Sequence, residues 1–203
     1  MTKFSANLGF LWSDRSLIDA IYAAHAAGFE TVECHWPYEY DAAEVKAALD
    51  ATGLTMLGLN TVRGNLVDNE NGLAALPGRE DEARAGIDQA LRYAAAINTQ
   101  NIHVMAGFAE GGAAENCFIE NLRYATSQQQ HVTFLIEPLN HYDAPGYFLS
   151  STDQARRIIE AVAAPNLKLM FDCYHIQILE GDLTRRLQAN IDIIGHIQFA
   201  GVP

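Results

Sequence analysis

Short β-rich runs alternate with longer runs of helical period from one end of this chain to the other. Such alternation is the signature of βα units on a parallel sheet, because each parallel pair needs a crossover long enough to carry the chain back. Seven strand candidates can be read, over 4–8, 31–35, 55–60, 101–105, 132–137, 167–172 and 194–199. The spacing of apolar residues predicts helices between them, over 17–27, 41–53, 79–97, 114–129, 152–163 and 183–192. In the first, Leu17, Ile18, Ile21 and Tyr22 share helical spacing before Gly28. In the second, Asp41 is a good N-cap able to accept from the amide of Glu44, and Gly53 ends the stripe of Val45, Ala48 and Leu49. The longest connection without periodicity, 61–77, holds Gly64, Asn65, Asn69, Asn71 and Gly72; it reads equally as a lid or as a tolerated surface insertion.

An open doubly wound sheet and a closed barrel share this alternation, so the strand ends have to choose between them. The first turn, Asn7-Leu8-Gly9-Phe10-Leu11-Trp12, lacks the G-x-G-x-x-G of a dinucleotide-binding sheet. Several different strands instead end in polar or ionisable residues, as barrel enzymes require. The expected class is α/β, a TIM (β/α)8-type barrel with about seven βα units in this chain, forming one domain over 1–203. A full barrel runs to roughly 250 residues, which makes truncation at the C-terminal side part of the expectation.

Charge narrows the partners. A formal charge of -12 with pI near 4.8 leaves no Lys/Arg cluster for a phosphate backbone. No apolar run approaches the roughly 20 residues that cross a bilayer, and the start MTKFSANLGF lacks the basic and apolar regions of a signal peptide. A cytoplasmic protein, with no nucleic-acid or membrane partner, is expected; a homo-oligomer is compatible with these features. Cys34, Cys117 and Cys173 are odd in number and without C-x-x-C spacing, which fits reduced packing residues.

Three strands end alike. Val132 to Ile136 is nearly all apolar and stops at Glu137-Pro138, and a buried carboxylate there calls for a metal or cationic neighbour. Leu167 to Phe171 ends in Asp172, with His175 three residues on. In Gly195-His196-Ile197-Gln198, strand alternation puts His196 and Gln198 on one face. Three consecutive strands thus each offer an oxygen ligand, a hard set suited to Mg2+ or Mn2+, with zinc still open. Taken singly, each of these residues has an ordinary reading as a cap, an ion-pair partner or a local hydrogen-bonding group. Asn60 at the end of the third strand and His103 on the fourth are further candidates for substrate contact, with strand-end capping and core hydrogen bonding as the plain alternatives. Glu33 and His35 stand in the same position, and Trp12, Trp36, Tyr38 and Phe108 are candidates for an apolar wall.

The stretches Glu137-Pro138-Leu139-Asn140, Pro145-Gly146-Tyr147-Phe148-Leu149, Phe171-Asp172-Cys173-Tyr174-His175, Glu180-Gly181-Asp182-Leu183 and Gly195-His196-Ile197-Gln198 resemble motifs of the hydroxypyruvate isomerase family, in order. His103-Val104-Met105-Ala106-Gly107 and Leu76-Pro77-Gly78-Arg79-Glu80 match as well. The resemblance implies a xylose isomerase-like barrel in which Glu137, Asp172 and Gln198 bind the metal, Glu137 also transfers a proton, and His175 contacts a substrate oxygen. It implies an aldose-ketose type isomerisation of hydroxypyruvate and tartronate semialdehyde through a metal-stabilised enediolate. A fourth ligand, a Glu, is expected beyond the seventh strand and so beyond Pro203. The alternatives are a 2-oxo-tetronate isomerase, a ketose 3-epimerase, or a metal-free binding protein that keeps the fold. Charge and the absence of a His-rich zinc set argue against the superfamily's DNA-repair endonucleases.

Overall fold

The computed structural model describes residues 4–202. In chain order the elements are β1 (Ala6–Asn7), α1 (Leu17–Ala26), β2 (Thr31–Glu33), α2 (Ala42–Thr52), β3 (Thr55–Met56), β4 (Gly58–Asn60), α3 (Glu80–Ile97), β5 (Asn101–His103), α4 (Gly111–Gln128), β6 (Thr133–Ile136), α5 (Thr152–Val162), β7 (Leu167–Asp172), α6 (Cys173–Leu179), α7 (Leu183–Asn190) and β8 (Ile194–Gln198). The α/β alternation read from the sequence is therefore present in the described elements. Among the described residues no helix is long and apolar enough to cross a membrane.

Two compact units divide the chain. The first is Met1–Thr61 with Asp88–Ile102. Its strands β1, β2 and β3 run parallel in that order, with Ala6 opposite Val32 and Thr31 opposite Thr55. Ile21 and Ala24 of α1 and Val45 and Leu49 of α2 are buried with Val32 and Met56. Ser16 caps α1 by accepting from the Asp19 amide. Asp41 caps α2 as expected, though it accepts from Ala43 rather than Glu44, and Gly53 closes that helix at φ 70°, a left-handed conformation that costs glycine little. The single strand expected over 55–60 is two short ones. The ladder changes at Leu57: its amide still donates to Val32, but its carbonyl accepts from the Asn101 side chain.

The second unit is Val62–Ile87 with His103–Pro203. Here β6, β7 and β8 are parallel neighbours, and Phe134, Ile136, Leu169 and Phe171 are buried. Helices α4 and α5 pack together, with Phe118, Leu122, Ile158 and Ile159 buried. The long connection after β4 is neither a free lid nor a loose insertion along its whole length. Leu73, Ala74 and Ala75 are buried, Gly72 donates to the Arg63 carbonyl, and the amides of Ala74 and Ala75 donate to the carbonyls of Met105 and Ala106. Glu70 accepts from the Asn65 amide and pairs with Arg79, which hold its carboxyl below the usual range. The tip of the connection, residues 65–69, is exposed, with Leu66 and Val67 projecting into solvent. The segment is a strap with an exposed tip.

Two features of this unit escaped the sequence reading. The first is α6, which begins immediately after β7: Asp172 ends the strand and at once caps the helix, accepting from the Tyr174 amide at 2.7 Å. The second is a bulge. Leu169 faces Ile194, but Met170 faces His196, so Gly195 is the extra residue. A Cβ on Gly195 would lie 2.5 Å from the Lys168 Cβ, and glycine lets the strands close over that step. Its consequence is positional: Gln198, not Ile197, comes opposite Asp172.

Candidate metal and catalytic centre

The second unit brings three of the predicted site residues into one place. Ligand atoms of Glu137, Asp172 and His175 all lie within 4.8 Å of one another. Glu137 is the first residue past β6, Asp172 the last of β7, and His175 sits one turn into α6. Gln198, the last residue of β8, is the register partner of Asp172. Strand alternation then puts His196 on the same side as Gln198, opposite Met170, as expected from the sequence. Glu137 and Asp172 are buried despite carrying carboxylates. Burial of two carboxylates this close is costly unless a cation or proton balances them.

His103, the last residue of β5, is also buried, and its Nδ1 lies 3.6 Å from Oε2 of Glu137. The separation is longer than a good hydrogen bond. It places a ring beside the carboxylate.

His175 is held from behind. Its Nδ1 accepts from the Asn140 backbone amide at 3.1 Å and lies 2.9 Å from the Asn140 side-chain nitrogen. On the other side of the ring, Nε2 is 3.9 Å from Oδ2 of Asp172. Burial lowers the pKa of His175, partly offset by the charges of Asp172 and Asp143, which favours the neutral ring. A backbone N–H can only donate, so Nδ1 is the unprotonated nitrogen and Nε2 carries the hydrogen. His175 accordingly fits a donor to an oxygen better than a metal ligand. The oxygen donors that the cluster could offer a hard divalent cation are the carboxylates of Glu137 and Asp172, with Gln198 beside Asp172 in register.

Beside the cluster stands Tyr147, whose hydroxyl accepts from the Ala106 amide at 2.8 Å. Burial, with a contribution from the charge of Glu137, pushes its pKa up, so it is a neutral phenol. Its ring meets Phe108 edge-on at 6.2 Å. The chain after β5 turns there at Gly107, φ +95°, where a Cβ would sit 2.3 Å from the Gly72 carbonyl oxygen. Only glycine fits between strap and loop. Tyr147, Asn140 and Asp143 were not among the predicted site residues. The first two lie inside motifs visible in the sequence, but pattern alone does not say which neighbour a side chain holds.

In the first unit, Asn60 ends β4, its amide donating to the His35 carbonyl and its carbonyl accepting from the Tyr38 hydroxyl. Those contacts are made by backbone atoms. Glu33 is buried, with Ser5 donating to it at 3.4 Å, and burial with the Glu33 charge pushes the Cys34 thiol up to about 12. His35 meets Phe10 and Trp36 edge-on, and Gly9 passes so close that a Cβ would fall 2.3 Å from its ring. Trp36 donates to the Thr61 carbonyl at 3.1 Å. The apolar-wall reading of Trp36 and Tyr38 is thus joined by specific hydrogen bonds.

Residues 21–203 match the family model of the xylose isomerase-like TIM barrel. Over 209 residues the chain is 47% identical to the 2-oxo-tetronate isomerase of Cupriavidus necator, taking in 100% of this chain and 80% of that one. It is 38% identical over 209 residues to the hydroxypyruvate isomerase of Escherichia coli, covering 100% of this chain and 81% of the other. A crystal structure from Brucella melitensis, named as an AP endonuclease of family 2, superimposes with a TM-score of 0.96 at 38% identity, over 100% of this chain and 81% of that chain.

Proposed function

From the premise that this chain belongs to the xylose isomerase-like TIM-barrel family, we propose that it isomerises hydroxypyruvate to 2-hydroxy-3-oxopropanoate, tartronate semialdehyde, at the Glu137–Asp172–Gln198 cluster. The observation that carries this reading is the convergence of Glu137, Asp172 and His175 within 4.8 Å, with Gln198 paired to Asp172. Glu137, Asp172 and Gln198 would hold a divalent cation such as Mg2+ or Mn2+, which would supply positive charge against the negative charge that develops on the substrate oxygens.

The chain's own groups do the rest. Glu137 removes the C3 proton of the bound acid, leaving its electron pair between C3 and C2. That proton, or one exchanged for it, returns from Glu137 to C2, and the O3 proton passes to O2 as the C3 carbonyl forms, so atoms balance with no oxidant or reductant. His103 at 3.6 Å limits the directions Glu137 can take. His175 offers its Nε2 hydrogen to a substrate oxygen.

One observation favours a second substrate. The 2-oxo-tetronate isomerase relative is 47% identical, against 38% for the hydroxypyruvate isomerase. The two acids share a 2-oxo-3-hydroxy carboxylate and differ by one hydroxymethyl group on C3, so the proton-transfer chemistry is common to both. A nucleic-acid substrate fits poorly with the charge of -12, notwithstanding the name of the Brucella melitensis structure. Measuring kcat/KM on both acids with Mg2+ or Mn2+ tests the assignment. A higher value for hydroxypyruvate is expected; a value more than about tenfold higher for 2-oxo-tetronate, or roughly 1.4 kcal/mol of discrimination, would move the assignment to the larger acid.

A further inference from the structure

We infer that Asn140, held in turn by Asp143, is a positioning residue that fixes His175 as an Nε2–H donor and keeps it out of the metal shell. The inference rests on the isomerase reading for its purpose, but its geometry stands alone. Asn140 is fully buried at the start of the turn after β6. Its side-chain oxygen accepts from the amides of Tyr142 and Asp143, at 2.9 and 3.1 Å. Both of those donors are backbone N–H groups, so the oxygen and nitrogen of the amide cannot be exchanged. The nitrogen must therefore be the atom facing His175 at 2.9 Å, and it also donates to Oδ2 of Asp143 at 2.7 Å.

Two donors from one residue thus converge on Nδ1 of His175, the Asn140 backbone amide and its side-chain amide. A hydrogen on Nδ1 would point at both. The only neutral form that fits has its hydrogen on Nε2, the nitrogen nearer Asp172. Metal-ligating histidines bind through one unprotonated nitrogen and donate with the other. Here the unprotonated nitrogen is turned toward Asn140, away from the carboxylates. Although His175 lies close enough to Glu137 and Asp172 to count as a third ligand by distance, its hydrogen-bond partners assign it to the substrate instead. Asp143 completes the device: Asn140 and Tyr174 hold its carboxyl below the usual range, so it stays an acceptor for the Asn140 amide.

Long-range 1H–15N NMR of the full chain, with His175→Gln to identify the resonance, reads the tautomer without any turnover. The expected spectrum shows His175 with its hydrogen on Nε2, unchanged when Mg2+ is added. Asn140→Asp puts an acceptor where the side-chain donor was, and the hydrogen is expected to move to Nδ1 in part or in full. Asn140→Ala, which keeps the backbone donor, is the second variant: it is expected to retain the Nε2–H form and lose about tenfold or more in kcat through a looser ring. An Nδ1–H ring in the unmodified protein, loss of the Nε2 hydrogen on adding Mg2+, or a folded Asn140→Asp variant with an unchanged tautomer would each overturn the inference. A protein that shows the expected tautomer and isomerises neither acid would instead overturn the proposed function.

Discussion

Glu137→Gln is expected to lower kcat/KM for isomerisation by about two to four orders of magnitude, the range over which a positioned general base contributes. The substitution keeps the shape of a buried side chain and removes its charge, so packing beside His103 is retained while the proton acceptor is lost. It also withdraws one charged oxygen from the set formed with Asp172 and Gln198, so weaker uptake of Mn2+ is expected alongside the loss of rate. The two effects separate at saturating metal. If Glu137 acts as the base, raising the Mn2+ concentration restores occupancy but not turnover. Activity within threefold of the unmodified protein at saturating Mn2+ would remove Glu137 from proton transfer and leave it a ligand only.

A loss of comparable free energy, in stability rather than rate, is expected from Phe118→Ala. Phe118 is fully buried on α4 and meets Phe148 edge-on, ring centroids 5.7 Å apart. Truncating a buried Phe removes its transfer free energy and leaves a cavity that close-packed neighbours fill only in part, together about 3–5 kcal/mol. The aromatic pair adds roughly 0.5–1.5 kcal/mol beyond the area it buries. Against the roughly 5–15 kcal/mol that holds a typical domain together, such a loss leaves little reserve. Phe148 belongs to the same stretch as Tyr147, so loosening there reaches the wall of the site. Urea unfolding checks the value; a change below about 1 kcal/mol would show that the helix collapses onto the gap.

The parts of this molecule legible in its sequence are those that depend on period and chain order. Apolar runs stopping at Glu137 and at Asp172 announce buried strands with polar ends, because few other arrangements tolerate a carboxylate directly after so many apolar residues. The capping of α2 by Asp41 and Gly53 is likewise local, and only its exact donor differed. Register was not legible. Gln198 faces Asp172 only because Gly195 bulges out of β8, and nothing in Gly195-His196-Ile197-Gln198 announces a slip of one residue. The start of α6 was hidden for a related reason: Asp172 serves the strand, the helix cap and the site at once, and Cys173-Tyr174-His175-Ile176 follows it with no glycine or proline to signal a turn. The connection over 61–77 reads only as a lid or a surface insertion because its anchors are backbone contacts with Met105 and Ala106, distant in sequence. Asn140 was visible as part of a motif, but its hold on His175 spans 35 residues and exists only in three dimensions.

Proton transfer between adjacent carbons of a 2-oxo-3-hydroxy acid is the chemistry proposed for the Glu137 cluster. Incubating hydroxypyruvate with the protein and Mg2+ in D2O, and following it by NMR, tests that directly. Tartronate semialdehyde is expected to appear and deuterium to enter the C3 position of recovered hydroxypyruvate, both lost in Glu137→Gln. Hydroxypyruvate and 2-oxo-tetronate that remain unconverted and free of deuterium, with Mg2+ or Mn2+ present, would contradict it.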